Sequence, residues 1–147
     1  MKKLLLVLLL APAALWAQES DREAVMETIN SAYLEGITNE GDASKIDAGF
    51  HTGFNILGYN ANNDRVWEFP IYYWKPAAIE NAEDGSNEER GPVRFEYPLV
   101  DITGNAAIVK VEYFIGDRHV YSDYLSLYKF KDGWKIVSKI FYQHPEE

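Results

Sequence analysis

Apolar residues recur at intervals of three or four along the first part of the chain, as on one face of an amphipathic helix. These residues are Val25, Ile29, Ala32, Tyr33 and Ile37. A capping box precedes them, because Ser20 is followed three residues later by Glu23. The pattern predicts a first helix over residues 20–37, which the turn residues at 39–41 end.

Shorter elements follow. Asp42 is suited to cap a second, short helix, and apolar runs at 54–59 and 66–69 predict two strands joined by a polar turn. A proline suits the first turn of a third helix over residues 70–79. The polar and charged segment 81–91 predicts a mobile loop.

From residue 93 the hydrophobic period changes to two, which is typical of β-strands. Four such segments, separated by turn residues, predict strands over residues 93–102, 107–115, 120–130 and 134–143. In the last strand we expect Trp134, Ile136 and Ile140 to share one face. Helices followed by an antiparallel meander indicate an α+β domain, with the helices packed on one face of a curved sheet.

The first 17 residues have the three parts of a secretory signal peptide. Lys2 and Lys3 precede an unbroken apolar run over residues 4–10, and small residues then end at Ala17. The run is shorter than the ~20 residues that span a bilayer, so an uncleaved anchor is the weaker alternative. We expect a periplasmic or secreted protein without further membrane attachment, whose single mature domain is residues 18–147.

Composition excludes several classes of function. The chain has 14 Lys and Arg residues against 23 Asp and Glu residues, and its formal net charge is −9. Such an acidic surface repels phosphate backbones, so we expect no nucleic-acid partner. There are no cysteines, which excludes disulfides and thiol chemistry. The domain therefore depends on its apolar core, to which 4 Trp, 10 Tyr and 7 Phe residues can contribute.

Several segments of the chain resemble a known family. They are Asp101 to Val111 (DITGNAAIVKV), Tyr121 to Leu127 (YSDYLSL) and Gly133 to Phe141 (GWKIVSKIF), with Tyr33 to Gly36, Gly41-Asp42 and Phe50-His51 in the N-terminal half. Together they resemble the putative lumazine-binding family of the nuclear-transport-factor-two-like (SnoaL-like) superfamily. The segment from about residue 60 to 91 departs most from the family, and Thr52 stands where proline is common.

The resemblance covers nearly the whole mature chain and implies a fold more than an activity. It implies a cone shape, in which N-terminal helices pack on the concave face of a curved antiparallel sheet with a pocket between them. The superfamily includes ketosteroid isomerase, scytalone dehydratase, polyketide cyclases and plain binding domains. The fold alone therefore does not define the function.

Two residues are candidates for acid–base catalysis. Asp123 shares a strand face with Tyr121 and Leu125, and a carboxylate among apolar groups can act as a general base. His51, just after the second helix, could act as an acid or a base in a pocket. The structural alternatives are that Asp123 pairs with a hydrogen-bond donor or faces water, and that His51 fixes the turn between helix and strand.

Aromatic residues are the candidate ligand contacts. Tyr33, Tyr72, Trp74 and Tyr113 could line a pocket for a small aromatic or apolar ligand, and packing in the core is the alternative. We expect no metal site, because the three histidines are scattered and neither a cysteine nor an H-E-x-x-H motif accompanies them. Nucleotide-binding glycine motifs are also absent from the sequence, so no cofactor is expected.

These observations favour an exported small-molecule-binding or accessory domain with a pocket between helices and sheet. One alternative is a cofactor-free enzyme of the isomerase or dehydratase type, in which Asp123 or His51 moves protons. The other is a dimerisation module whose pocket is filled by its own side chains. Polar groups that converge in an open pocket favour the enzyme, an apolar pocket favours binding, and a closed pocket favours the dimerisation module.

The strand over residues 120–130 predicts a homodimer. One face carries the aromatic residues Tyr124, Tyr128 and Phe130, while Leu125 and Leu127 supply the opposite face. A sheet with two apolar faces needs a cover on each, and the chain has helices enough for one. A closed two-fold dimer is the commonest way to cover the other.

We expect the exported protein to begin at Gln18, because Ala17 is small enough for the position before a signal-peptidase cut. Intact-mass measurement of the exported protein tests this. Replacing Ala17 with arginine should block cleavage and serves as the control. An exported protein that retains residues 1–17 would contradict the expectation.

Overall fold

The structure is a computed structural model that describes residues 11–146. The first ten residues of the expected signal peptide therefore lie outside the described residues. Within residues 11–146, no helix is both long enough and apolar enough to cross a membrane.

Helical segments and strands alternate along the described chain. The helical segments are α1 (Ala11–Ile29), a π-helical segment (Asn30–Glu40), α2 (Ala43–Gly49), α3 (Ile71–Glu83) and α4 (Ser86–Arg90). The strands are β1 (Phe50–Asn60), β2 (Arg65–Pro70), β3 (Val93–Thr103), β4 (Ala106–Ile115), β5 (Arg118–Phe130) and β6 (Gly133–Gln143).

The six strands form one curved, unclosed sheet in the order β2-β1-β6-β5-β4-β3. The meander β3 to β6 is antiparallel throughout, as the sequence predicts. β1 pairs with β6 in parallel, so the expectation of a purely antiparallel sheet is wrong at this one pair. The helices pack on one face of the sheet, which confirms the predicted α+β architecture.

The core lies between that face and the apolar stripe of the first helical segments. Val25 and Ile29 are fully buried and Tyr33 is 2% exposed, which confirms the predicted stripe. They join one cluster with inward-facing strand residues such as Val109 and Leu125. The N-terminal helices are thereby fixed against the middle of the sheet.

The first helix differs from the prediction at both ends. It begins at Ala11, so Ser20 lies inside α1 and does not cap it. From Asn30 the helix continues to Glu40 with π-helical hydrogen bonds, and Gly41, whose φ of 65° suits glycine, caps its end. The prediction that Asp42 caps the next helix, α2, is confirmed, since Asp42 Oδ1 accepts a hydrogen bond from the backbone N–H of Ser44 at 2.8 Å.

The segment predicted as a mobile loop, residues 81–91, instead contains the end of α3 and the short helix α4. Its polar residues pair with nearby groups rather than with solvent alone. Asp84 Oδ1 accepts from the backbone N–H of Ser86 at 2.9 Å, and Arg90 donates to the carbonyl of Thr38. These bonds order a sequence whose composition suggests a loop.

A bulge in β6 reverses the alternation of its side chains. Leu127 pairs with Ile136, but the preceding residue of β5 pairs with Ser138, so Val137 is an extra residue on β6. Trp134 and Ile136 face the core on one side of the bulge. On the other side Ile140 is 54% exposed, so the expectation that Ile140 shares their face is wrong.

The outer face of the sheet is rich in exposed aromatic and aliphatic side chains. Tyr124 is 41% exposed and Tyr128 is 49% exposed, whereas Leu125 and Leu127 on the opposite face are 1% exposed. As predicted, β5 therefore has one buried aliphatic face and one exposed aromatic face.

We expect the protein to be a homodimer at micromolar concentration, because this outer face needs a second apolar cover. Tyr124→Glu should shift the equilibrium toward the monomer, since it places a charge in the middle of the face. Sedimentation equilibrium measures the mass. Tyr72→Glu, on the exposed side of α3, is the matched control; a wild-type monomer would contradict the expectation.

Candidate functional site

A cavity of about 260 Å³ lies between the helices and the inner face of the sheet. The π-helical segment, α3 and α4 form one side of it, and β1, β2, β4, β5 and β6 form the other. Its wall is aromatic, with Trp74, Tyr113 and Tyr121 among the contributing residues, and polar residues of α3 and α4 also line it.

Three of the four predicted ligand contacts line this cavity: Tyr33, Trp74 and Tyr113. The structure corrects the placement of Tyr72, which lies on the outer side of α3 and is 61% exposed. Tyr72 points away because Ile71, the residue before it, turns into the core.

His51 is also outside the residues that line the cavity. Its Nδ1 accepts from the backbone N–H of Gly53 at 3.1 Å, and its ring stacks on Phe130 with centroids 5.0 Å apart. These contacts correspond to the structural alternative for His51, in which it fixes the chain at the start of β1.

Asp123 belongs to a buried cluster with Tyr33 and Lys139, which both line the cavity, although Asp123 itself does not line it. Tyr33 Oη donates to Asp123 Oδ2 at 2.6 Å. Lys139 Nζ donates to Tyr33 Oη at 2.7 Å and to Asp123 Oδ2 at 3.1 Å. Asp123 is fully buried and Lys139 is 6% exposed. Among the described residues, the second carboxylate oxygen of Asp123 has no hydrogen-bond partner.

Three separate elements position these groups. Tyr33 projects from the π-helical segment, and Asp123 points inward from the middle of β5. Lys139 points inward only because the bulge at Val137 shifts the register of β6. The amine, the carboxylate and the phenol thus meet from a helix and two neighbouring strands.

Aromatic rings surround the amine of Lys139. The Nζ atom lies 4.9 Å from the ring centroid of Tyr33, 5.2 Å from that of Trp74 and 5.3 Å from that of Phe141. Burial lowers the pKa of Lys139, although the charge of Asp123 and the hydrogen bond to it act in the opposite direction. The net effect increases the fraction of neutral amine at a given pH.

Tyr33 and Tyr113 remain protonated at neutral pH, because the pKa of each is raised. Burial, reinforced by the charge of Asp123, raises the pKa of Tyr33 well above its ordinary value. Burial also raises the pKa of Tyr113 to about 12. Tyr33 can therefore donate a hydrogen bond to an oxygen atom, while the amine is suited to act as a nucleophile.

Arg90 provides a second cationic group at the cavity. Its guanidinium donates to the carbonyl of Thr38 and, at 3.2 Å, to Asn87 Oδ1. Its Nε is buried and has no partner among the described residues. Arg90 and Lys139 both line the cavity, so its lining carries more positive charge than the acidic chain as a whole.

The sequence analysis did not identify Lys139 or Arg90. Strict alternation from Trp134 places residue 139 on the outer face, and a bulge has no clear sequence signal here. Arg90 lies in the segment predicted as a loop. The one available signal for Lys139 was its place in the GWKIVSKIF segment that carries the family resemblance.

Comparison with known proteins agrees with the fold. The model of a family described as putative lumazine-binding matches residues 20–142. The chain belongs to this family. Among curated proteins, the aldolase FrzH of Cladobotryum sp is 28% identical to this chain over 129 residues, which cover 86% of this chain and 94% of FrzH.

Solved structures share the fold of this family member. An NTF2-like protein of unknown function from Silicibacter pomeroyi has a TM-score of 0.65 at 17% identity, covering 88% of this chain and 98% of its own. An NTF2-like protein of unknown function from Methylobacillus flagellatus has a TM-score of 0.59 at 26% identity, and the match covers 86% of this chain and 94% of that protein. The predicted nuclear-transport-factor-two-like fold is confirmed.

We expect Asp123→Leu to lower the free energy of unfolding by about 3–5 kcal/mol, because it leaves the buried Lys139 without its counter-ion. Lys139→Met should also destabilise the protein. The double variant should recover most of the loss, since an apolar pair can replace a buried ion pair at little cost. Urea unfolding followed by circular dichroism measures all three.

The matched control is the exposed ion pair between Lys75 and Asp47, in which Lys75 Nζ lies 2.7 Å from Asp47 Oδ1. Asp47→Asn should change the stability little, because exposed pairs contribute little. If the losses of the two buried single variants simply add in the double variant, the two residues are not coupled and the expectation is wrong.

Proposed function

We propose that this protein is an enzyme that acts on small carbonyl compounds, and that the amine of Lys139 attacks the carbonyl carbon. The main support is the convergence of an amine, a carboxylate and a phenol within 3.1 Å of one another, with the amine and the phenol on the wall of an open cavity. Polar groups that converge in this way favour an enzyme over a binding domain with an apolar pocket or a module with a filled one.

A purely structural ion pair would not need these features. Apolar side chains of similar size often stabilise a core as well as a buried ion pair does, so stability alone gives little reason for this arrangement. The Lys139 side chain also forms part of the cavity wall. In addition, the free oxygen of Asp123 is an acceptor that nothing in the described chain satisfies.

The reaction begins with proton transfer from the Lys139 ammonium to Asp123. The neutral amine then adds to the carbonyl carbon. Because Asp123 is now protonated, the O–H of Tyr33 is released from it and donates a hydrogen bond to the oxygen on which charge develops. Loss of that oxygen as water gives an imine between the substrate and Lys139. The C=O bond and two N–H bonds break, while the C=N bond and the two O–H bonds of water form.

Asp123 returns its proton to the imine nitrogen, and the resulting iminium makes the neighbouring carbon acidic. The Asp123 carboxylate, whose Oδ2 lies 3.1 Å from Lys139 Nζ, can then remove a proton from that carbon, which gives an enamine. The enamine either takes up a proton elsewhere, which isomerises the substrate, or adds to a second carbonyl carbon, which is an aldol reaction. The relationship to a protein named aldolase supports the second course.

The cavity also suggests the class of substrate. Its volume of about 260 Å³ is near the lower end of the ~300–1,000 Å³ of ligand pockets, which suits one ring or a short chain. The aromatic wall favours a planar or apolar body. Arg90 would favour an acidic group at the other end of the substrate.

Binding without catalysis is the second candidate. The observation that favours it is the ring of aromatic side chains around Lys139, which resembles a site for a flat ligand. The family description and the shared fold support a small ligand in this cavity under either function. For its location we propose export, on the signal-like residues 1–17.

Reduction with sodium cyanoborohydride tests the imine. Incubation with acetone, cyclohexanone or acetoacetate should leave a reduced adduct on Lys139, found by peptide mass spectrometry. For each lysine, the ratio of labelling at pH 8 to labelling at pH 10 is measured. Because the pKa of Lys139 is lowered, this ratio should be higher for Lys139 than for the exposed lysines. A larger fraction of its amine is neutral at the lower pH.

Lys139→Arg keeps a positive charge but cannot form an imine, so it should fold and lose the adduct. Lys135→Arg, on the same strand and outside the cavity, is the matched control and should keep it. If Lys139 in the folded wild type is labelled no faster than the exposed lysines, the amine is not a nucleophile. Binding alone would then be the better account.

A further inference from the structure

The outer face of the sheet carries a cluster of metal-ligand side chains that the proposed function does not use. Glu112 projects outward from β4, because its neighbours on both sides are buried in the core. His119 lies near the start of β5, and His144 follows the end of β6. The backbone N–H of His144 donates to the carbonyl of Val120 at 2.9 Å, which holds the tail beside β5.

The side chains of this cluster are already in contact. Glu112 Oε2 lies 2.8 Å from His119 Nε2. Ser122 Oγ lies 3.0 Å from His144 Nε2 and donates to Glu112 Oε2. The two imidazole rings have centroids 3.8 Å apart. One ligand atom from each of Glu112, His119 and His144 lies within 4.8 Å of the other two.

We propose that Glu112, His119 and His144 bind a divalent transition-metal ion, zinc by ligand type, on the outer face of the sheet. Two imidazole nitrogens and one carboxylate oxygen are a set that zinc uses where one coordination position stays open. Bonds of ~2.0–2.2 Å in a tetrahedral site place the ligand atoms roughly 3.4 Å apart. That spacing lies between the 2.8 Å that separates Glu112 Oε2 from His119 Nε2 and the 4.8 Å within which all three ligand atoms lie.

Lys110 makes the site selective among cations. Its Nζ pairs with Glu112 Oε1 at 2.5 Å, which leaves Oε2 directed at the histidines. The nearby ammonium repels every cation, so ions that bind mainly through charge and oxygen ligands, such as Ca²⁺ and Mg²⁺, are disfavoured. Imidazole ligands favour zinc, copper and nickel, so these ions retain an advantage.

Within a single chain the site is accessible from solution. The side chain of Glu112 is 15% exposed and that of His119 is 32% exposed. An ion held by the three residues would therefore keep a position open to water, with Ser122 Oγ beside it. The site is also separate from the cavity, since none of its members lines that space.

Isothermal titration of the untagged protein with zinc chloride tests the proposal. We expect one zinc ion per chain, a loss of at least tenfold in affinity for His119→Ala and for His144→Ala, and no binding of Ca²⁺. Lys110→Ala should strengthen zinc binding. His51→Ala is the matched control, because His51 lies elsewhere, and it should bind zinc as the wild type does.

Zinc that does not bind the wild type, or that binds His144→Ala as tightly as the wild type, would overturn the proposal. His144 lies beyond the last strand, so this variant remains informative even if His119→Ala fails to fold. Lys139→Arg should bind zinc normally. The zinc titration therefore tests the metal site independently of the labelling of Lys139, which tests the proposed enzyme.

Discussion

The buried contact between Lys139 and Asp123 is the interaction on which the rest of the site depends. Two charged groups are withdrawn from water, and each is acceptable there only because the other is within 3.1 Å. Tyr33 joins the pair through hydrogen bonds to both. The contact therefore links the π-helical segment to β5 and β6 beside the cavity.

The bulge in β6 is the backbone feature that makes this contact possible. Without the extra residue Val137, the alternation that buries Trp134 and Ile136 would direct Lys139 to the outer face and bury Ile140 instead. The bulge thus exchanges an aliphatic side chain for an amine at the base of the cavity. A core position is given to a polar group where apolar packing would serve stability as well, which is a feature expected of functional sites.

The sequence was sufficient for the elements whose periodicity is undisturbed. It predicted the buried face of the first helix, the strands of the meander and the strand face that Asp123 shares with Tyr121 and Leu125, because each depends on local spacing alone. Lys139 could not be predicted, since one inserted residue reverses the pattern and leaves no mark on the sequence. The helix α4 was missed because its order comes from long-range bonds such as that from Arg90 to Thr38.

The same two strands serve both faces of the sheet. On β4, Tyr113 lines the cavity while Glu112 faces outward. On β5, Asp123 faces inward while Ser122 faces outward and contacts His144. Because side chains alternate along a strand, a slip of one residue between β4 and β5 would exchange the two sets. The register in which Val111 pairs with Asp123 therefore positions both the carboxylate beside Lys139 and the cluster on the outer face. Selection for either site would maintain the register that the other requires.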